Sequence, residues 1–231
     1  MVHKASVYIE KENGERTPGI HAGWGTYGLT TGDLDAGTKY RLYISLDGEE
    51  YISDFLSPGF TPEIDSVSYI KKGQGETIYI CVNTHDPEDQ SSYYLWSYKE
   101  IWEVTADLYA NYGYLDGRFD YFSLRNSYNT YYCWGRDSSK MMLLASSDKL
   151  SENLIYQKRL LEMSPSSDKI SMLYYIKVNQ KQIRKEAYDY YSNIQKNIEQ
   201  TGSIFTPVPS EMKGNIRCIS NPDLPVIGYV D

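Results

Sequence analysis

Apolar and polar residues alternate with a period of two along much of this chain, the spacing of strands that bury one face. Ala5, Val7 and Ile9 begin the pattern. From Tyr40 to Leu46 it is clean, with Tyr40, Leu42, Ile44 and Leu46 on one side and Arg41, Tyr43 and Ser45 on the other. Asp47-Gly48 then turns the chain into a second strand over 49–55, and Asn13-Gly14 is also a type I′ hairpin dipeptide. Gly23, Gly25, Gly28, Gly32 and Gly37 punctuate the residues between. Strands this short and closely spaced predict a small β-sandwich over residues 1–62. The segment 57–62 holds Pro58, Gly59 and Pro62, continues neither ladder nor helix, and marks a domain junction.

A second β-rich region is expected over 63–231. Ile78, Ile80 and Val82 share one face of a strand over 77–82. Residues 83–92 are polar, contain Asp86-Pro87 and read as a loop. Strands follow over 93–104, 141–145 and 170–180. A helix starting near Ser147 would suit 154–163, but the polar stop at 164–167 and the β-rich neighbours favour a strand. Residues 109–132 are dense in Tyr, Asn, Gly and Ser, which predicts a long loop or short hairpin of the kind that carries function. One helix is predicted over 183–201. Ile183, Ala187, Tyr190, Tyr191, Ile194 and Ile198 form its apolar stripe, expected to dock on a sheet, and Gly202 is its C′ residue. Pro207, Pro209, Pro222 and Pro225 keep the following chain extended until Val226 to Val230 pair as a last strand.

Composition sharpens this picture at one point. Among 231 residues there are 24 tyrosines, against five phenylalanines and four tryptophans. Tyr suits cross-strand packing in sheets, and equally an aromatic surface that anchors a glycan or peptide. The formal net charge of −8, without a basic stripe, argues against nucleic acid. No apolar run approaches the roughly 18 residues of a membrane-spanning helix. The start of the chain shows no signal-peptide core and enters strand alternation at once, so an upstream segment is expected to be missing.

The search for chemistry is brief. His3, His21 and His85 have no partner at ligand spacing, and Cys81, Cys133 and Cys218 are neither a metal motif nor an even disulfide set. They read as buried thiols, with one pair free to bridge. Asp86, Glu88 and Asp89 lack the spacing of a calcium loop. No metal and no cofactor is expected. Gly73-Gln74-Gly75 reads as a turn rather than a nucleotide loop. Glu100 and Glu103 flank Trp102 as a glycosidase pair would, yet residues three apart on a strand face opposite ways.

The order of several short motifs resembles a known family. They are Gly37 to Leu42 with Tyr51-Ile52-Ser53, Pro62 to Val67, Tyr94-Leu95-Trp96 with Trp102-Glu103, Cys133-Trp134, and Ser147 to Ser151. The block from Glu186 to Val230 completes them, with its EAYDYY, GSIF, GNIRC and VIGYV stretches. Together they resemble the domain of unknown function 4249 family, lipoproteins of Bacteroidota often encoded beside TonB-dependent receptors. The resemblance implies a mainly β fold: an N-terminal immunoglobulin-like β-sandwich, here lacking its first strands, then a larger β-rich domain with one amphipathic helix. It also implies a secretion signal and a lipidated cysteine, both absent from these residues. It supplies no catalytic residues.

The expected function is therefore that of a non-enzymatic lipoprotein of the outer membrane or cell surface. It binds or presents a glycan or peptide as accessory to a TonB-dependent receptor, with membrane attachment only through an N-terminal lipid anchor. Tyr112, Tyr114, Tyr128 and Trp134 are the expected ligand contacts. The competing readings are a structural or adhesive module, with the tyrosines as sheet packing, and a glycan-directed hydrolase.

Overall fold

The structure is a computed structural model. It describes residues 5–88, 90–124, 126, 128–200 and 213–231. The protein is mainly β with one helix near the C-terminus, and its contacts divide it into two compact units. One comprises residues 1–61 with 182–231, the other residues 62–181. The C-terminal segment thus groups with the N-terminal strands, whereas the sequence reading kept it within 63–231.

In the first unit the chain forms β1 (Ser6–Lys11), β2 (Arg16–Pro18), β3 (Ile20–Gly23), β4 (Thr26–Gly28), β5 (Tyr40–Leu46) and β6 (Glu49–Ser53). Turn chemistry sets two of these hairpins. Asp47 and Gly48 both have positive φ, 53° and 89°, as the expected type I′ turn between β5 and β6 requires. The β1–β2 turn differs from expectation. Only Gly14 has positive φ, and the Gly14 and Lys11 amides donate to the Lys11 and Glu15 carbonyls. That is a three-residue loop ending in a left-handed glycine, with Asn13 using its side chain to accept from the Glu15 amide. Glu10 is buried in β1. Burial pushes its carboxyl up, but hydrogen bonds from Arg41 and Arg16 outweigh this and hold it below the usual carboxylate range.

The second unit contains β7 (Ser66–Ile70), β8 (Ile78–His85), β9 (Tyr93–Thr105), β10 (Tyr112–Leu115), β11 (Arg118–Tyr121), β12 (Tyr132–Ser138), β13 (Leu143–Ser146), β14 (Leu154–Met163) and β15 (Leu173–Gln182). The three-stranded sheet β14-β8-β7 and the sheet built on β9, which pairs with β12, β13 and β15, share one core. Val82, Tyr94, Trp96, Ile155 and Leu160 are its buried centre. The strand reading of 154–163 holds, with a bulge at Gln157, whose φ is 49° and whose amide donates to Asn83 Oδ1 at 2.7 Å. Asn83 to His85, expected as loop, extend β8 because Ile155 and Leu154 of β14 pair with Thr84 and His85.

Lys158 follows that bulge, and burial alone pulls its pKa below the ordinary 10.5. A base depressed in the folded state takes up a proton more readily when unfolded. The penalty is therefore fully present below the folded pKa, and stability rises as pH climbs from there toward 10.5. Lys158→Met is expected to raise unfolding stability at neutral pH by about 0.5–2 kcal/mol and to remove that rise. Urea midpoints measured from pH 7 to 10.5 check both.

The chain then returns to the first unit through α1 (Lys185–Gln200) and β16 (Ile216–Cys218), which adds to β6 and completes a five-stranded sheet β16-β6-β5-β1-β2. Ile183, Ala187 and Tyr190 are buried as the stripe requires, while Ile198 is exposed. The ring contacts of α1 run to the C-terminal segment, with the Tyr190 and Tyr229 centroids 5.1 Å apart. Asp231 accepts from the Arg184 backbone amide at 3.1 Å and from its guanidinium at 2.8 Å, placing a carboxylate at the helix N-terminus. Val226 to Val230 do not form the expected strand. The Asn215 side-chain amide replaces a ladder there: it donates to the Val230 carbonyl at 2.7 Å and accepts from its amide at 2.8 Å. Gly214 serves close approach rather than a positive-φ turn, because a Cβ there would run into the Gly228 backbone. Gly202, Pro207 and Pro209 lie outside the described residues.

Candidate functional site

The Tyr-rich segment folds into a hairpin of its own. Asp116 and Gly117, with φ of 50° and 84°, form the type I′ turn between β10 and β11. That turn fixes the register, so Tyr112 faces Tyr121 and Tyr114 faces Phe119. The flanking loops are held by asparagines. Asn126 Oδ1 accepts from the Tyr128 amide at 2.9 Å, and Asn129 Oδ1 from the Tyr131 amide at 3.0 Å. Asn129 Nδ2 also donates to the Ala110 carbonyl at 3.2 Å, tying the entry to the hairpin to its exit.

This arrangement encloses a cleft of about 310 Å³, lined by residues that include Leu108, Tyr112, Tyr114, Phe122, Tyr128 and Tyr131. Among the described residues, no Asp, Glu, Lys, Arg or His lines it. Gly113 is required at its wall, since a Cβ there would collide with the Phe122 ring. The Phe122 and Tyr128 rings lie 5.7 Å apart, as do those of Tyr109 and Tyr131. The fold thus brings together three of the four residues singled out in the sequence. Trp134 stands apart from them: it is exposed on β12, opposite Glu103, and is not among the cleft residues. Phe119, Tyr121, Phe122 and Tyr131 escaped individual notice. Counting outward from Asp116-Gly117 as a two-residue turn would have paired the first two with Tyr114 and Tyr112.

Of the two carboxylates flanking Trp102, Glu100 is held by neighbouring side chains. Glu100 is 1% exposed; Lys169 pairs with one of its oxygens and Tyr174 donates to the other at 2.8 Å. The Lys169 ammonium also lies 4.7 Å from the Trp102 ring centroid. Burial first, and then the hydrogen bond to Glu100, push the Tyr174 phenol well above the ordinary tyrosine range. Trp102 packs against Gly135, where a Cβ would meet its indole.

Near His85, Asp86 is buried and its carboxylate accepts the amides of Glu88, Gln90 and Ser91 at 3.2, 2.7 and 2.7 Å. Its oxygens organise the loop. Among the described residues no group of three or more His, Cys, Asp or Glu is placed to hold a metal ion. All three cysteines are free, and Cys133 is exposed rather than buried, on β12 at the edge of its sheet. No described helix is long and apolar enough to cross a membrane.

The family model described as "Domain of unknown function (DUF4249)" matches residues 1–231. No curated protein and no solved structure matches the chain.

Proposed function

We propose, on the premise that this chain belongs to the DUF4249 family, that it is a non-enzymatic ligand-binding protein whose contact surface is the aromatic hairpin of β10 and β11. One observation carries this reading. Tyr112, Tyr114 and Tyr128 are all exposed, and all three are among the residues lining one cleft instead of scattering through the sheets as packing. Exposed aromatic clusters of this kind are unfavourable in water and mark interaction sites.

The rest of the reading comes from the resemblance: an immunoglobulin-like N-terminal domain, a lipid anchor, an outer-membrane or cell-surface address, and service to a TonB-dependent receptor. The hairpin would hold cargo or present it to that receptor.

The test is co-purification. The gene product, tagged in its native host, is drawn from outer membranes in mild detergent and its partners identified by mass spectrometry. A stoichiometric TonB-dependent receptor is expected. A surface-exposed protein that brings down no receptor would favour a free-standing or adhesive module instead. Replacing Tyr112, Tyr114 and Tyr128 together by Ala is expected to abolish cargo binding. The thermal midpoint should hardly move, since exposed substitutions usually change stability by less than about 0.5 kcal/mol each. Unchanged binding would remove the hairpin from the contact surface.

A further inference from the structure

Among the described residues, Trp24 is the one aromatic residue on a left-handed backbone. Four described residues other than glycine have positive φ: Trp24, Asp47, Asp116 and Gln157. Asp47 and Asp116 are of the type that a type I′ turn favours, and the Gln157 amide donates to Asn83 at a bulge. Trp24 has neither reason. Gly23 and Thr26 pair, so Trp24 and Gly25, with φ of 53° and 74°, form the two-residue turn between β3 and β4. Asn, Asp or Gly would hold that turn with less strain. The indole gains nothing within the protein in return. It is fully exposed and, among the described residues, has no hydrogen bond and no ring contact. An unfavourable backbone that the fold does not require points to function.

The surroundings select the partner. Residues 17–32 contain no Asp, Glu, Lys or Arg, the longest such run in a chain that is 23% charged. Strands β3 and β4 form a two-stranded sheet of their own, and Ile20, Ala22, Gly25 and Thr26 are exposed around the turn. An anchor in a protein–protein interface is ringed by side chains that shut out water. Trp24 is flanked by Gly23 and Gly25, which have none. A bilayer needs no such ring, because its own molecules close around the side chain. Its interface takes up indoles, whose ring is apolar and whose N–H still finds an oxygen. A tip without charged side chains enters that layer without their penalty. The hairpin is also held to the first described residue of the chain, since the Ala5 amide donates to the Tyr27 hydroxyl at 2.8 Å.

We infer that the β3–β4 hairpin is a membrane contact, with the Trp24 indole seated in the interfacial layer of a bilayer and no need for anionic lipid. This deepens the reading above and rests on its N-terminal anchor.

The test uses the full chain, held by an N-terminal histidine tag on vesicles of phosphatidylcholine with a nickel-chelating lipid. Part of the phosphatidylcholine carries bromine near the top of its acyl chains, which quenches tryptophan at that depth. Quenching of the wild type and a blue shift of its emission are expected, equally with and without added phosphatidylglycerol. Trp24→Asn is expected to lose both. Asn suits the left-handed turn, so this variant should unfold at the same urea concentration as the wild type or a higher one.

An unquenched wild type overturns the inference. So does equal quenching of the Asn variant, which would assign the signal to another tryptophan, such as the exposed Trp134. Quenching that requires phosphatidylglycerol would mean an electrostatic contact, and unfolding of the variant at lower urea would mean a structural role for Trp24; the inference falls in either case. It falls too if Trp24→Asn loses a co-purified receptor while the tethered wild type stays unquenched, because the indole is then a protein contact. A native gene product found in no membrane fraction would instead sink the anchor reading, whatever the vesicles show.

Discussion

Glu100→Ala is expected to lower the unfolding free energy by about 3 kcal/mol, the lower end of the range for breaking a buried ion pair by removing one partner. The carboxylate is almost wholly buried and accepts from both Lys169 and Tyr174. Its removal leaves a cation with only 24% of its side chain in water and a half-buried phenol without its acceptor. The residual exposure of Lys169 is what places the loss at the lower end. Glu100→Gln should cost less, because an amide oxygen can still accept from Tyr174. Adding Lys169→Met to Glu100→Ala should recover part of the loss, since the stranded charge is gone. Urea unfolding followed by circular dichroism measures all three. A loss under about 1 kcal/mol for Glu100→Ala would mean that water reaches the site and that the cluster is a surface pair.

Trp96→Ala is expected to cost about 3–5 kcal/mol, the range for deleting a buried Trp or Phe side chain. Trp96 is 1% exposed, stacks on Tyr94 at 5.6 Å and lies in the core shared by the two sheets of the second unit. Its indole N–H also donates to Gln180 Oε1 at 2.7 Å, and Gln180 Nε2 donates in turn to the Pro62 carbonyl and to Thr84 Oγ1, both at 2.9 Å. Trp96→Phe isolates that second role. It keeps most of the apolar volume but strips Gln180 of its donor, and should cost about 1–3 kcal/mol. Equal losses in the two variants would show that the hydrogen-bond chain, rather than packing, carries the contribution of Trp96.

Both residues show where a sequence stops being legible. Trp96 sits in a strand whose aromatic content marks it as core. Glu100 sits four residues on, where alternation puts it on the same buried face as Trp96 but a carboxylate is the residue type least expected there. Its burial depends on Lys169, brought beside it from 69 residues away by the short 3-10 turn over Asp168–Ile170. The same holds for Asn215. Its residue type suggests a turn, and its actual work is to pair with Val230 in place of a strand. That Tyr112, Tyr114 and Tyr128 line one cleft was within reach of the sequence, because local turn chemistry and composition place them. Trp134 was not separable from them by composition, since only the register of β12 against β9 carries it elsewhere.

What the sequence determined by itself is local. Period-two alternation and Asp-Gly turns specify the strands and the β5–β6 and β10–β11 hairpins, because side-chain direction and backbone φ depend on neighbouring residues. The helix follows from its apolar stripe for the same reason, and the ordered motifs identify the family. Tertiary structure alone decided which strands share a sheet, that β16 joins the sheet begun by β1, and that a buried Glu pairs with a Lys 69 residues on. Those outcomes depend on contacts between residues far apart in the chain, selected by burial and hydrogen-bond satisfaction over the whole unit, and no window of sequence contains both partners.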